Sequence, residues 1–171
     1  MANSAENEKL YAQMLDAFCR SISNTFEQMV FSAAEVGSPN EKKDGLPTGC
    51  VSGTIGLTGT HDSSPNELRS KVSLIFSEEI AVSIFRSMMM MEADAPVEMA
   101  ELRDVVGELT NMTAGGAKTI LSDAGFKLAL SLPTVAVGHD HYLNAPSGIS
   151  FSKVVPVVFN GSTFYLEFSV S

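Results

Sequence analysis

Apolar residues recur at helical spacing from Leu10 to about Phe31, with Leu10, Met14, Phe18, Ile22, Phe26, Met29 and Val30 on one side. The pattern predicts an amphipathic helix behind a polar lead-in, Met1 to Lys9. Gly37-Ser38-Pro39-Asn40 ends it, and Glu41 to Pro47 continues as a polar loop. The period then changes to two. Val51, Gly53, Ile55 and Leu57 alternate with Ser52, Thr54, Gly56 and Thr58, as in a strand with one polar face. Gly59 to Asn66 reads as a long polar turn region, and Lys71 to Phe76 as a second strand, giving an antiparallel hairpin. Ser77 followed by Glu78 and Glu79 is a helix start, because the hydroxyl caps free amides and the acids suit the positive end of the dipole. That helix is expected to run to about Met91 and to bury Ile80, Ile84, Phe85 and Met88.

The longest periodic stretch is Pro96 to Ala124, with a proline suited to a first turn and Gly125 as a stop. On a wheel of about 100° per residue, Leu102, Val105, Leu109, Met112, Gly116 and Ile120 share a side, with Val106, Thr113 and Ala117 at its edge. This side is expected to pack on a core, with Gly116 allowing close approach to a sheet. Asp104, Glu108, Asn111 and Gly115 form an opposite stripe expected to face outward. Beyond the helix, Phe126 to Val137 reads as a strand interrupted at Pro133, His139 to Ser147 as a loop, and Ile149–Asn160 and Thr163–Val170 as two more strands. Asn160-Gly161 is a tight-turn signal between the last two. Pro156 demotes part of its strand to an edge or bulge.

The expected fold class is α+β: three helices on one face of a mostly antiparallel sheet of about five strands. The order is helix-strand-strand-helix-helix-strand-strand-strand, with residues 1–171 forming one domain. No strand–helix alternation, GxGxxG, phosphate loop or HExxH is present.

Charge narrows the partners. Eleven basic residues against 20 acidic ones give a formal net charge of −9. That balance argues against a nucleic acid or an anionic membrane, both of which need a positive surface, and is compatible with a partner that has a locally basic face. The start of the chain carries no signal-peptide pattern, and no apolar run is long enough to span a bilayer, so the cytoplasm is the expected location. Cys19 and Cys50 fall in different elements and are expected to be buried thiols. Met88 to Met91 suits the filling of a core gap at a helix end, or an adaptable contact with a partner.

Two clusters offer chemistry. His139, Asp140 and His141 in one expected loop, with His61 and Asp62 in another, are one conceivable zinc set. The outward stripe is the better candidate. Glu108 and Asn111, three apart, leave the helix side by side. A carboxylate there can pair with a lysine of a target, and the amide, both donor and acceptor, can hold a water in line for attack. Such catalysis works by positioning. Gly115, one turn on, leaves room for another molecule to come close.

The run Asp104-Val-Val-Gly-Glu108-Leu-Thr-Asn111-Met-Thr-Ala-Gly-Gly-Ala-Lys resembles the CheC/CheX/FliY family of bacterial chemotaxis phosphatases, and its CheX branch most closely. Asp104, Glu108, Asn111 and Pro133 match the family signature. So do the glycine-rich strand from Val51 to Gly59, the Ser131–Thr134 segment and the Val154–Pro156 strand. The resemblance implies an enzyme that removes the aspartyl phosphate of a CheY-like response regulator. Asn111 would orient the attacking water and Glu108 would pair with the regulator's lysine, with Asp104 and Gly115 at the contact. It implies no cofactor of the chain's own, the Mg²⁺ being supplied by the phosphorylated regulator, and a homodimer joined through sheet edges, for which strands 126–138 and 148–160 are candidates. The first helix carries no ExxN, so one site per chain is expected. The alternative is a non-catalytic partner of a receiver domain or flagellar-switch component.

Overall fold

The computed structural model describes residues 4–144 and 147–171. Its elements in chain order are α1 (Ser4–Thr25, prolonged by a π-turn Phe26–Val30), β1 (Glu35–Val36), β2 (Asn40–Glu41), β3 (Thr48–His61), β4 (Ser64–Phe76), α2 (Glu78–Met88), α3 (Met99–Asp123), β5 (Phe126–Leu130), β6 (Thr134–Tyr142), β7 (Phe151–Phe159) and β8 (Ser162–Val170). The expected α+β class and three helices are present. The sheet has eight strands rather than about five, in the path β1-β7-β8-β4-β3-β5, with β2 on β7 and β6 on β3. The pairings are antiparallel.

The differences from the expected order have local causes. Strands β1 and β2 are two residues each, too short to show alternation, and lie in a segment read from sequence as helix end and loop. Ser4 to Lys9 is already helical; Met1 to Asn3 lie outside the described residues. The hairpin between β3 and β4 closes tightly at Asp62-Ser63, because pairing continues to His61 and Ser64 through a bulge after Gly59, which replaces the expected long turn. The interruption at Pro133 divides one edge run into β5 and β6, both paired to β3. His139 to Tyr142, expected as loop, continues β6 with Asp140 at φ 48; Ala145 and Pro146 of that expected loop are outside the described residues. Asn160 and Gly161, at φ 48 and 78, form the tight turn between β7 and β8 as the sequence indicates.

The core lies between the helices and one face of the sheet. Phe18 of α1 meets Phe168, and Phe26 stacks on Phe164, which also stacks on Phe76. Val51, Ile55, Leu57, Val72, Leu74, Val155, Val157 and Leu166 complete the sheet's contribution. The opposite face is polar but not bare. Glu167 there is 1 % exposed, and its Oε1 accepts a hydrogen bond from Lys42 Nζ at 2.6 Å. Lys42 also donates to the Leu143 carbonyl, so it ties two connecting segments over the strands. Nearby Lys71 has its pKa lowered, chiefly by burial. Among the described residues the outer edge of β5–β6 carries no neighbouring strand, whereas that of β7 is taken up by β1 and β2, so only the first of the two expected edges is open.

Helix α3 begins with a capping box. The Glu98 side chain takes the amide at Glu101, and Glu101 Oε2 accepts from Glu98 N at 2.7 Å. The helix starts at Met99, so Pro96 precedes it. Its buried arc is turned from the expected one. Leu102, Val105, Leu109, Val106, Thr113 and Ala117 are buried as foreseen, but Thr110, Ala114 and Leu121 join them while Met112 is 41 % exposed. The rotation follows from two neighbours, the sheet on one side and α1 on the other. A side chain added at Gly53 of β3 would sit 2.1 Å from Thr110 Oγ1, and one added at Gly116 would sit 2.3 Å from Ser21 Oγ on α1. Gly116 therefore admits α1 rather than the sheet, and Gly53 seats the helix on β3.

These surroundings separate two adjacent glycines. Gly115 has open space where its side chain would go. Gly115→Ala is expected to stabilise the chain by about 0.5–1 kcal/mol through helix propensity and chain entropy. Gly116→Ala is expected to destabilise it by about 1–3 kcal/mol through crowding against Ser21. Paired chemical denaturation curves check both signs.

Candidate functional site

The buried arc of α3 determines what its other face presents. Asp104, Glu108 and Asn111 are exposed, and Gly115 is half-buried beside them. At positions i, i+4, i+7 and i+11 they form one stripe along the helix, and Glu108 and Asn111 have Cβ atoms about 5–6 Å apart. The side-chain hydrogen bonds made by α3 come from Glu101 at the cap, Thr110 to the Val106 carbonyl at 2.6 Å and Thr119 to the Gly115 carbonyl at 3.1 Å. Asp104, Glu108 and Asn111 have no hydrogen-bond or ion-pair partner among the described residues. A carboxylate and a carboxamide therefore project side by side with their hydrogen-bonding capacity uncommitted.

The platform beneath them is rigid for identifiable reasons. Thr110 sits directly before Asn111, is fully buried, and fits against the sheet only because residue 53 is a glycine. Ser21 Oγ donates to the Thr113 carbonyl at 2.7 Å from α1. Sequence reasoning missed both Thr110 and Ser21 as supports. The signals available were the glycine in the middle of an otherwise strong strand and a threonine within the helix. Pro133, the other residue of the signature, lies on a different element. It ends the break between β5 and β6, just before Val135, whose Cγ2 lies 3.4 Å from where a Gly107 side chain would begin.

The histidines do not form a joint site. His61 closes the far end of β3, while His141 is in register with Gly49 at its start, roughly 40 Å away at about 3.3 Å per residue. His61 Nε2 meets the Ala124 carbonyl at 3.0 Å and Nδ1 meets Ser63 Oγ at 2.7 Å, an arrangement that ties the end of α3 to the hairpin. His141 lies between Ser52 Oγ at 2.8 Å and the Gly138 carbonyl at 3.0 Å. Among the described residues, no group of three or more His, Cys, Asp or Glu side chains is placed to hold a metal ion. Both cysteines are free; burial, with a smaller push from Asp16, raises the Cys19 pKa to about 11 and keeps it protonated at neutral pH. Among the described residues, no helix is long and apolar enough to cross a membrane.

The site is thus a helix packed on an antiparallel sheet that presents an unpartnered acid–amide pair to solvent. The model of the family described as chemotaxis phosphatase CheX matches residues 51–155, and the chain belongs to that family. A CheC-like superfamily protein from Shewanella sp. PV-4 is 31% identical, with a TM-score of 0.80 over 93% of this chain and 97% of that one. The chemotaxis protein CheX from Desulfovibrio desulfuricans is 25% identical, with a TM-score of 0.79 over 92% and 99%. At 18% identity and a TM-score of 0.72, over 91% and 96%, the fold is also that of CheX from Borrelia burgdorferi, solved as a complex with CheY, BeF3 and Mg²⁺. No curated protein matches the sequence.

Because Asn111 is exposed and unpartnered, its loss should leave the fold intact. Asn111→Ala is expected to unfold within about 0.5 kcal/mol of the parent, toward higher stability, since alanine is the better helix former. Thermal unfolding followed by circular dichroism measures this; a clear loss of stability would mean that the amide is structural.

Proposed function

We propose that the chain hydrolyses the aspartyl phosphate of a CheY-like receiver domain, with Glu108 and Asn111 inserted into the receiver's active site. The observation that carries this reading is the pair itself: two exposed, unpartnered groups on adjoining turns of a helix that is clamped from both sides. Membership of the chemotaxis phosphatase family and the Borrelia complex support the choice of partner. In that complex BeF3 stands in for a phosphoryl group.

In the proposed step, water attacks phosphorus in line with the bond to the receiver's aspartate. The phosphorus–oxygen bond breaks, the aspartate leaves as a free carboxylate, and inorganic phosphate carries away the protons of the water. Asn111 takes no proton. Its carbonyl accepts one water hydrogen while its NH₂ remains free to donate to the phosphoryl oxygens, so the nucleophile is aligned. Glu108 pairs with the receiver's active-site lysine, anchoring the helix by a charge-assisted hydrogen bond. Asp104 extends the acidic contact, and Gly115 allows the receiver's backbone to approach. The phosphoaspartate and Mg²⁺ come with the receiver, and the reaction belongs in the cytoplasm, where such regulators work. Residues 1–171 act as one domain in this reading, and a homodimer would form through the open β5–β6 edge.

Phosphate release from a phosphorylated receiver, with and without the chain, tests the proposal. The parent is expected to accelerate release, and Asn111→Ala to reduce the accelerated rate by about 100-fold or more, the scale associated with lost positioning. Glu108→Ala is expected to raise the half-saturating receiver concentration about tenfold and to lower the maximal rate as well. Saturable binding without acceleration would assign the chain a binding role instead; unchanged rates in both variants would remove the pair from the mechanism.

A further inference from the structure

The end of α2 leaves apolar surface uncovered beside this stripe. The sequence suggested first that Met88 to Met91 fill a core gap; in the structure Met88 is half-buried, but Met89, Met90 and Met91 are 55 %, 80 % and 36 % exposed. The helix stops at Met88 rather than about Met91 because the chain turns back in a Schellman motif. Met90 N donates to the Ser87 carbonyl at 3.3 Å and Met91 N to the Arg86 carbonyl at 2.9 Å, with Met90 at φ 52. Glycine or asparagine is favoured at such a left-handed position, since a longer residue is strained there. Here a methionine occupies it and points its side chain at solvent. The turn is also pinned: Arg86 Nε and Nη2 donate to the Ala95 carbonyl at 3.0 and 2.6 Å. Local strain at an exposed apolar residue on a braced turn is the kind of outlier from which a functional role is inferred.

The methionines border a groove of about 600 Å³, with Met88, Met89 and Met91 on one side and Asp104, Val105 and Glu108 on the other. Glu108 thus belongs both to the groove and to the proposed catalytic stripe. Any body seated over Glu108 and Asn111 covers the groove's α3 wall. We propose that this methionine-lined groove is the apolar half of the docking surface for the same phosphorylated receiver, and that it accepts a receiver segment carrying an aliphatic or aromatic side chain next to a lysine or arginine. The proposal rests on the reading of Glu108 and Asn111 given above.

Two features select this occupant. The apolar floor lies beside acidic side chains, so an apolar group flanked by a basic one meets both. A second copy of the chain, at a formal net charge of −9, brings mainly like charge to that wall. Methionine suits the task because its unbranched, polarisable side chain conforms to the group presented to it.

The test uses the full chain with Met89→Ser, Met91→Ser and the double variant. Receiver-dependent phosphate release is measured over a range of receiver concentrations, and binding of a beryllofluoride-activated receiver is titrated directly. The double variant is expected to raise both the half-saturating concentration and the dissociation constant about tenfold, with the loss falling on these rather than on the maximal rate. Met89→Ser alone, at a residue more than half exposed, is expected to melt close to the parent, which separates lost docking from lost folding. Unchanged half-saturation and unchanged binding would overturn the proposal. If the parent binds the receiver without accelerating phosphate loss, the catalytic reading fails; weaker binding by the methionine variants would still sustain the groove. A parent that does not bind the receiver overturns both. Altered self-association with unaltered receiver binding would assign the groove to a second copy and overturn it too.

Discussion

Helix α3 approaches its neighbours at distances that only missing side chains allow. On the sheet side, Gly53 leaves the space that Thr110 fills; on the α1 side, Gly116 leaves the space for Ser21. Neither contact is purely steric. The Thr110 hydroxyl is satisfied within its own helix by the Val106 carbonyl, and the Ser21 hydroxyl reaches across to the Thr113 carbonyl. Two polar groups are therefore buried with a partner in hand, which avoids the cost of desolvating them bare. Together the contacts fix the rotation of the helix about its axis. With the sheet and α1 both covering it, Asp104, Glu108 and Asn111 are left exposed, the first two beside the end of α2.

That constraint shapes the chemistry. A pocket enzyme surrounds its substrate, whereas in the proposed reaction this helix offers its groups to a site on another molecule. Such an arrangement requires exposure together with rigidity, and these usually oppose each other. The capping box at Glu98 and Glu101 closes one end of α3, and His61 ties the Ala124 carbonyl at the other to the β3–β4 hairpin. The exposed stripe is held by groups that lie outside it. The other side of the sheet follows a different principle: Lys42 and Glu167 are paired in a nearly dry setting where neither would persist alone. They close the polar side with connecting chain instead of a helix.

Much of this was legible from spacing. The 3.6-residue period of the first helix, the alternation from Val51 to Leu57, the Ser77 cap and the Asn160-Gly161 turn each mapped onto the expected element, because each reports a local preference that the fold leaves standing. The outward stripe was also legible, since an unbroken helix fixes which residues share a face. Less legible were the two-residue strands β1 and β2, which have no period, and the continuation of β6 through His139 to Tyr142, whose polar residues read as loop.

The amino-acid sequence by itself determined the helices, the main strands and the pairing of Glu108 with Asn111 on one side of α3, because these depend on backbone geometry over a few turns. Tertiary structure alone decided how far α3 is rotated, which carried Thr110 inward and Met112 outward. It also decided that Met89 and Met91 lie on the surface beside Glu108. The physical reason is that a wheel records directions relative to one axis, whereas burial depends on how many bodies press on that axis and how closely. Here the sheet and α1 press most closely, and glycines in β3 and α3 set their distance.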